Sequence, residues 1–163
     1  MTFLGMQGLI EGLALAAFQS IRDKAGNTLA GAVNAYVMQD EARHVAFGRI
    51  ALRDYYSQLT DAERSEREEF VVEGCYLMRD RLRAQEVWET LDLPLAECLE
   101  ATDRSPVMQS FRTMLFARIV PCVKDIGLWG DKVQKPYADM GVLDMAGVDL
   151  DALMRNDEDT ADA

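Results

Sequence analysis

The chain has 163 residues, enough for one domain with a real core. Apolar residues make up 49% and charged residues 28%, the balance of a soluble globular protein, and only four prolines and eleven glycines interrupt it. A net charge of -11 with a pI near 4.5 argues against nucleic acid and against an anionic membrane surface, both of which call for basic patches.

The chain opens on "MTFLGMQGLIEGLALAAFQSI", apolar for about the length of a membrane span. No basic residue precedes Arg22, as a signal peptide would require, and Glu11 stands at mid-span, where lipid would penalise it. The stretch therefore reads as a buried helix of a soluble protein, from about residue 3 to residue 24, closed by "AGN". Its apolar run has no polar lead-in beyond Thr2, so the chain reads as starting inside a fold.

A second helix is expected over about 28–58, with Asn27 as N-cap. "LTDAE" then breaks and restarts the chain, with Thr60 and Glu63 spaced as a capping box. A third helix is expected to run on to about residue 90, and a short one covers about 95–101. Ser105-Pro106 starts another, Pro being favoured at the first helical position, and it should reach about residue 128 with a kink at Pro121. The acidic run "DAERSEREE" reads as a solvated face. No strand alternation or internal repeat is visible, so the fold class is all-α.

The domain is expected to span 1–146. Residues 147–163 are expected to form an acidic, largely disordered tail, since 149–163 hold six acidic side chains and a single arginine. Cys75, Cys98 and Cys122 are odd in number and widely spaced; they read as small buried hydrophobes in a reducing cytoplasm.

Chemistry concentrates in the first two helices. At about 100° per residue, Ala30, Val33, Val37, Glu41, His44, Gly48, Ala51 and Tyr55 share one stripe of the second helix. Most are small or apolar, so the stripe is expected to face inward, carrying Glu41 and His44 one turn apart. In the first helix Glu11 is the only charged residue through Ile21, on a face with Leu4, Gln7, Ala14, Leu15 and Phe18. A buried carboxylate needs a proton, a cation or a metal. Two neighbouring helices thus each offer a carboxylate, and one adds the only histidine of the chain at i+3. Hard oxygen donors plus imidazole suit iron or manganese. On the residues alone an ordinary reading stays open: Glu41 exposed, His44 a core histidine, and Glu11 protonated or paired with an arginine.

"EGLALAAF" (11–18) followed by "DEARHVAFG" (40–48) resembles the second half of ferritin-like di-metal carboxylate proteins, nearest in flavour to the ribonucleotide reductase small subunit and related di-iron N-oxygenases. The resemblance covers residues 3–58. It implies a ferritin-like helical bundle, here half of the four-helix core plus extra C-terminal helices, and a di-iron or Mn/Fe cofactor. It further implies Glu11 and His44 as terminal ligands, Glu41 as a bridging ligand, and Asp40 as a hydrogen-bond partner behind a ligand. Tyr55 becomes a candidate redox-active or pocket residue. The activity implied is non-haem oxidoreductase or oxygenase chemistry on O2 and a small-molecule substrate. The alternatives are a ferroxidase or iron-handling subunit, or a non-catalytic helical interaction module.

The sequence also departs from the pattern. A complete site takes one Glu and one Glu-x-x-His from each of two helix pairs. This chain has one set and no second histidine. Val37 stands where the N-oxygenases carry an additional histidine, against that subtype. The other half is expected from missing N-terminal sequence or from a homodimer. Either way, the first two helices should expose an apolar patch in an isolated monomer.

Overall fold

The computed structural model describes residues 1–159, and every regular element among them is helical. Helix α1 is Thr2–Lys24. Within it Gly5–Ile10 winds as a π-helix, a wider turn that resets the angular phase of the residues before Glu11. By length and composition alone α1 could cross a membrane, a property it shares with core helices of soluble proteins. Here it packs against α2, Thr28–Tyr56, and against α6, Pro106–Asp125. A three-residue turn joins α1 to α2, and Asn27 Oδ1 caps α2 by accepting from Ala30 N at 2.8 Å.

The remaining helices are α3 Asp61–Leu82, α4 Gln85–Thr90, α5 Leu95–Arg104, α7 Asp131–Asp139 and α8 Leu150–Glu158, with a 3₁₀ turn at Leu143–Gly147. The capping box at α3 forms as expected: Glu63 N donates to Thr60 Oγ1, and Thr60 N donates to Glu63 Oε2 at 2.9 Å. Ser105 caps α6 with Pro106 at its first position.

Helix α6 is the axis of the core. From Leu115 to Val123 only Ala117 is less than fully buried. A helix apolar on all sides must be surrounded, and α1, α8 and the 3₁₀ turn pack on it. Helix α3 lies across the π-helical part of α1 and carries α7 on its other side. Cys75 and Cys122 are free and buried, and burial pushes their thiols up to about 11 and about 12, as small core residues.

Four expectations need correction. The third helix does not run unbroken to residue 90, because Ala84 takes a left-handed φ of 54° and restarts the chain as α4. Helix α6 ends at Asp125. Residues 150–158, expected in a disordered tail, form α8: Asp149 caps it, Leu150, Met154 and Asp157 share its buried face, and it docks on α2 and α6. A counter-charge in the core, Arg118, makes that docking work. Residues 160–163 of the expected tail lie outside the described residues. The solvated reading of "DAERSEREE" fails at Glu68, which is buried and accepts from Gly130 N at 2.7 Å, placing a carboxylate at the positive N-terminus of α7.

Candidate metal centre

The α1–α2 hairpin fixes the site. Three contacts give its register: the Phe3 ring lies 6.2 Å from the Phe47 ring, Gln7 lies over Gly48, and Glu11 meets Glu41 and His44. From the Phe3–Phe47 and Gln7–Gly48 contacts to Glu11 beside Glu41 and His44 the number rises on α1 as it falls on α2, so the pair is antiparallel. Gly48 makes the approach close. A Cβ there would overlap Gln7 Cβ and stand 2.9 Å from Gln7 Cγ, so only glycine lets the two backbones come this near. From the opposite side Leu9 seats on Gly74 of α3 and Phe70 packs beneath Gly5, holding the π-helical turn in place.

At the level of Glu11, one carboxylate oxygen from each glutamate and a ring nitrogen of His44 lie within 4.8 Å of one another. His44 Nδ1 faces Glu41 Oε2 at 3.1 Å. Gln7 Nε2 donates to Glu11 Oε1 at 3.4 Å, and Gln7 Oε1 is a buried acceptor with no hydrogen-bond partner. A hydrogen bond shared with the Glu41 carboxylate, then partial burial, then the negative charge of Glu41 push the Glu11 carboxyl up to about 7, against a smaller lowering by His44. Two carboxylates held face to face cannot both ionise cheaply without a cation between them.

The inward stripe of α2 is displaced from the expected one. Ala35, Met38, Ala42, Val45, Gly48, Leu52 and Tyr56 are the buried positions, about one residue step around the helix. On the expected stripe Val33 and Tyr55 are exposed, the Glu41 side chain is 20% exposed and that of His44 58%. The Glu–Glu–His group therefore sits at the edge of the hairpin, on a face that stays open among the described residues. His44 is no core histidine, and among the described residues Glu11 forms no ion pair with an arginine.

The two auxiliary candidates are placed elsewhere. Asp40 points to solvent and pairs with Arg43 at 2.8 Å, because both lie on the outer side of α2. Tyr55 is exposed, packs its ring against Tyr56, and lies eleven residues past His44, about 16 Å along the helix. Glu11, Glu41 and His44 come together, and Asp40 and Tyr55 do not join them.

Gln7 is the site residue that the sequence marked least. It was visible only as a polar side chain between Gly5 and Gly8 on the face of Glu11. No protein-family model, curated protein or solved structure matches this chain.

Proposed function

We propose that this chain carries one half of a ferritin-like dinuclear metal centre, di-iron or Mn/Fe, serving O2-dependent oxidation of a small-molecule substrate. The observation that carries the reading is the convergence of Glu11, Glu41 and His44 donor atoms within 4.8 Å on an open face. The donor set fits the group: two hard carboxylates and one imidazole suit iron and manganese, and the facing Glu41 carboxylate raises the Glu11 carboxyl, a repulsion that a cation between them would relieve. When bound, a pair of such ions supplies the redox equivalents that O2 chemistry needs.

The residues of this chain divide the work of holding it. Glu41 stands between Glu11 and His44, in touch with both, so it is the residue that would serve both ions of such a centre. His44 presents Nδ1 toward the carboxylates. Gln7 orients Glu11 through its amide, and Gly48 keeps the two helices near enough for the ligands to meet. The flanking apolar side chains, Phe3, Ile10 and Phe47, would keep water off the centre once the face is covered. The three free cysteines accord with a reducing cytoplasmic setting.

Metal analysis after anaerobic loading with Fe2+ or Mn2+ tests the reading. About one ion per chain is expected, half of a two-ion site with four carboxylates and two histidines. Glu11→Ala and His44→Ala should each lower uptake at least about tenfold, the loss of roughly 1.4 kcal/mol of ligand binding. Uptake that both variants leave unchanged, or no uptake, overturns it and leaves a helical interaction module. Accumulation of many irons per chain points instead to iron handling.

A further inference from the structure

We propose that Gln7 is a fourth residue of this metal centre, its carboxamide oxygen binding a divalent ion beside the carboxylates of Glu11 and Glu41 and the imidazole of His44. The proposal rests on the metal-centre reading above and adds a donor that the Glu–Glu–His pattern does not contain.

Three unfavourable features meet at this one side chain. Gln7 lies inside the π-helical turn Gly5–Ile10, a winding that is rare and recurs at functional sites. Opposite it, α2 carries Gly48 in its interior, where glycine is destabilising, and a Cβ there would stand 2.9 Å from Gln7 Cγ and 3.0 Å from Gln7 Oε1. Oε1 itself is buried and has no hydrogen-bond partner among the described residues. Two other buried side-chain atoms share that state, Nε of Arg49 and Nε of Arg83. Both belong to guanidinium groups already ion-paired with aspartates. Gln7 Oε1 is the one acceptor of the three, and an acceptor is satisfied by a donated hydrogen or by a cation. From Phe3 to Phe18 the only polar side chains of α1 are Gln7 and Glu11, and the two are in contact. Unfavourable local choices gathered on a residue beside the triad mark a functional group, not a packing one.

The oxygen has a route to the triad. Gln7 Nε2 donates to Glu11 Oε1 at 3.4 Å, a long bond. A half-turn about Cγ–Cδ, a torsion with a broad two-fold preference, exchanges Oε1 and Nε2 without moving the backbone. With no metal, the amide hydrogens face the carboxylate, as charge requires. With a cation among the donor atoms the same hydrogens face positive charge, and the reversed amide dipole is favoured. Only the long bond to Glu11 is given up. A carboxamide oxygen is a hard, neutral donor that suits a hard divalent ion, and it adds a ligand without adding to the repulsion between the two glutamates.

Mn2+ affinity of the full chain, read from the electron paramagnetic resonance signal of free Mn2+, tests this in wild type, Gln7→Met and Gln7→Glu. Met keeps the length of the side chain and removes the oxygen. Its affinity should fall at least about tenfold, with helical circular dichroism and the melting temperature in EDTA unchanged. Glu keeps an oxygen at the same position but cannot donate to Glu11, and its affinity should match or exceed that of wild type. Equal affinity in Gln7→Met and wild type, with Glu11 and His44 still required, overturns the proposal and leaves the metal centre standing. Affinity lost in Gln7→Glu as in Gln7→Met also overturns it, since Gln7 then acts only through its hydrogen bond to Glu11. If Gln7→Met loses its helices, Gln7→Glu, the closer match in shape, decides alone. A wild-type chain that binds no Mn2+ overturns the metal centre and this proposal together.

Discussion

Two groups of ionisable side chains sit at opposite extremes of this molecule. In the core, Arg118 grips Asp157 through two hydrogen bonds, Nε to Oδ2 at 3.0 Å and Nη2 to Oδ1 at 2.7 Å, and spends its other donors on Gln19 and Met114 O. Both side chains are almost wholly buried. At the α1–α2 face, Glu11 and Glu41 confront each other with a histidine and an amide beside them. The first group is closed: its charge is cancelled within the chain, and its role is to lock α8 onto α6. The second is open: its negative charge is cancelled only by a retained proton or by something from outside. Counter-charge, more than burial, separates a structural ion pair from a candidate binding site here.

If the core pair is closed, breaking one partner should have the largest effect in the molecule. Arg118→Met leaves the Asp157 carboxylate buried without its cation, and should cost about 3–5 kcal/mol of unfolding free energy in urea titrations. The double variant Arg118→Met/Asp157→Leu should recover most of that loss, because two apolar side chains of similar size replace both charges. No recovery would mean that the pair holds α8 by more than charge cancellation.

The open group depends on close approach instead. Gly48→Ala drives a methyl into Gln7 Cβ and must part α1 from α2 locally. Overpacking of this kind costs about 1–3 kcal/mol. The more telling readout is Mn2+ affinity, which should fall although no ligand has changed. Equal affinity in Gly48→Ala and wild type would show that the triad tolerates a wider hairpin.

These features differ in how far the amino-acid order reveals them. The helices with local signals were legible: the Asn27 cap, the Thr60–Glu63 box and Ser105-Pro106 are short-range chemistry and recur in the structure. The α-only class was legible for the same reason. The break at Ala84 was not, because a left-handed alanine carries no glycine to announce it. Helix α8 was misjudged because its partner is 39 residues away; the clue was a lone arginine inside "MLFARIVPCV", a buried cation that needed an acid from somewhere. In the site, Glu11, Glu41 and His44 were readable as solitary polar groups on apolar helices, and they do converge. The phase of α2 was misread by about one residue step. Apolar residues left exposed and apolar residues facing the core look alike in a periodicity count, and Val33 and Tyr55 were assigned to the core.

The smallest effect is a pH dependence at the open face, and its sign follows from the direction of the Glu11 shift. In the folded chain without metal the Glu11 carboxyl is raised from 4.5 to about 7 by Glu41 and by burial. Below 4.5 the group is protonated folded and unfolded alike, and its contribution to stability is fully present. Between 4.5 and 7 the unfolded chain releases the proton while the folded chain keeps it, so stability falls as pH rises; above 7 the loss is complete. Glu11→Gln, which keeps the shape and removes the charge, should therefore flatten this part of the metal-free stability profile and leave the variant more stable than wild type at pH 8. Thermal melts of both chains in EDTA from pH 4.5 to 8 measure it, with the wild-type minus variant difference isolating Glu11 from the other titrating groups. Added Mn2+ should reverse the order, stabilising wild type above Glu11→Gln, because the ion replaces the proton only where a carboxylate can receive it. A difference profile that is flat across this range, with no reversal on adding Mn2+, would place the Glu11–Glu41 contact on the same footing as the closed pair in the core and remove the contrast between them.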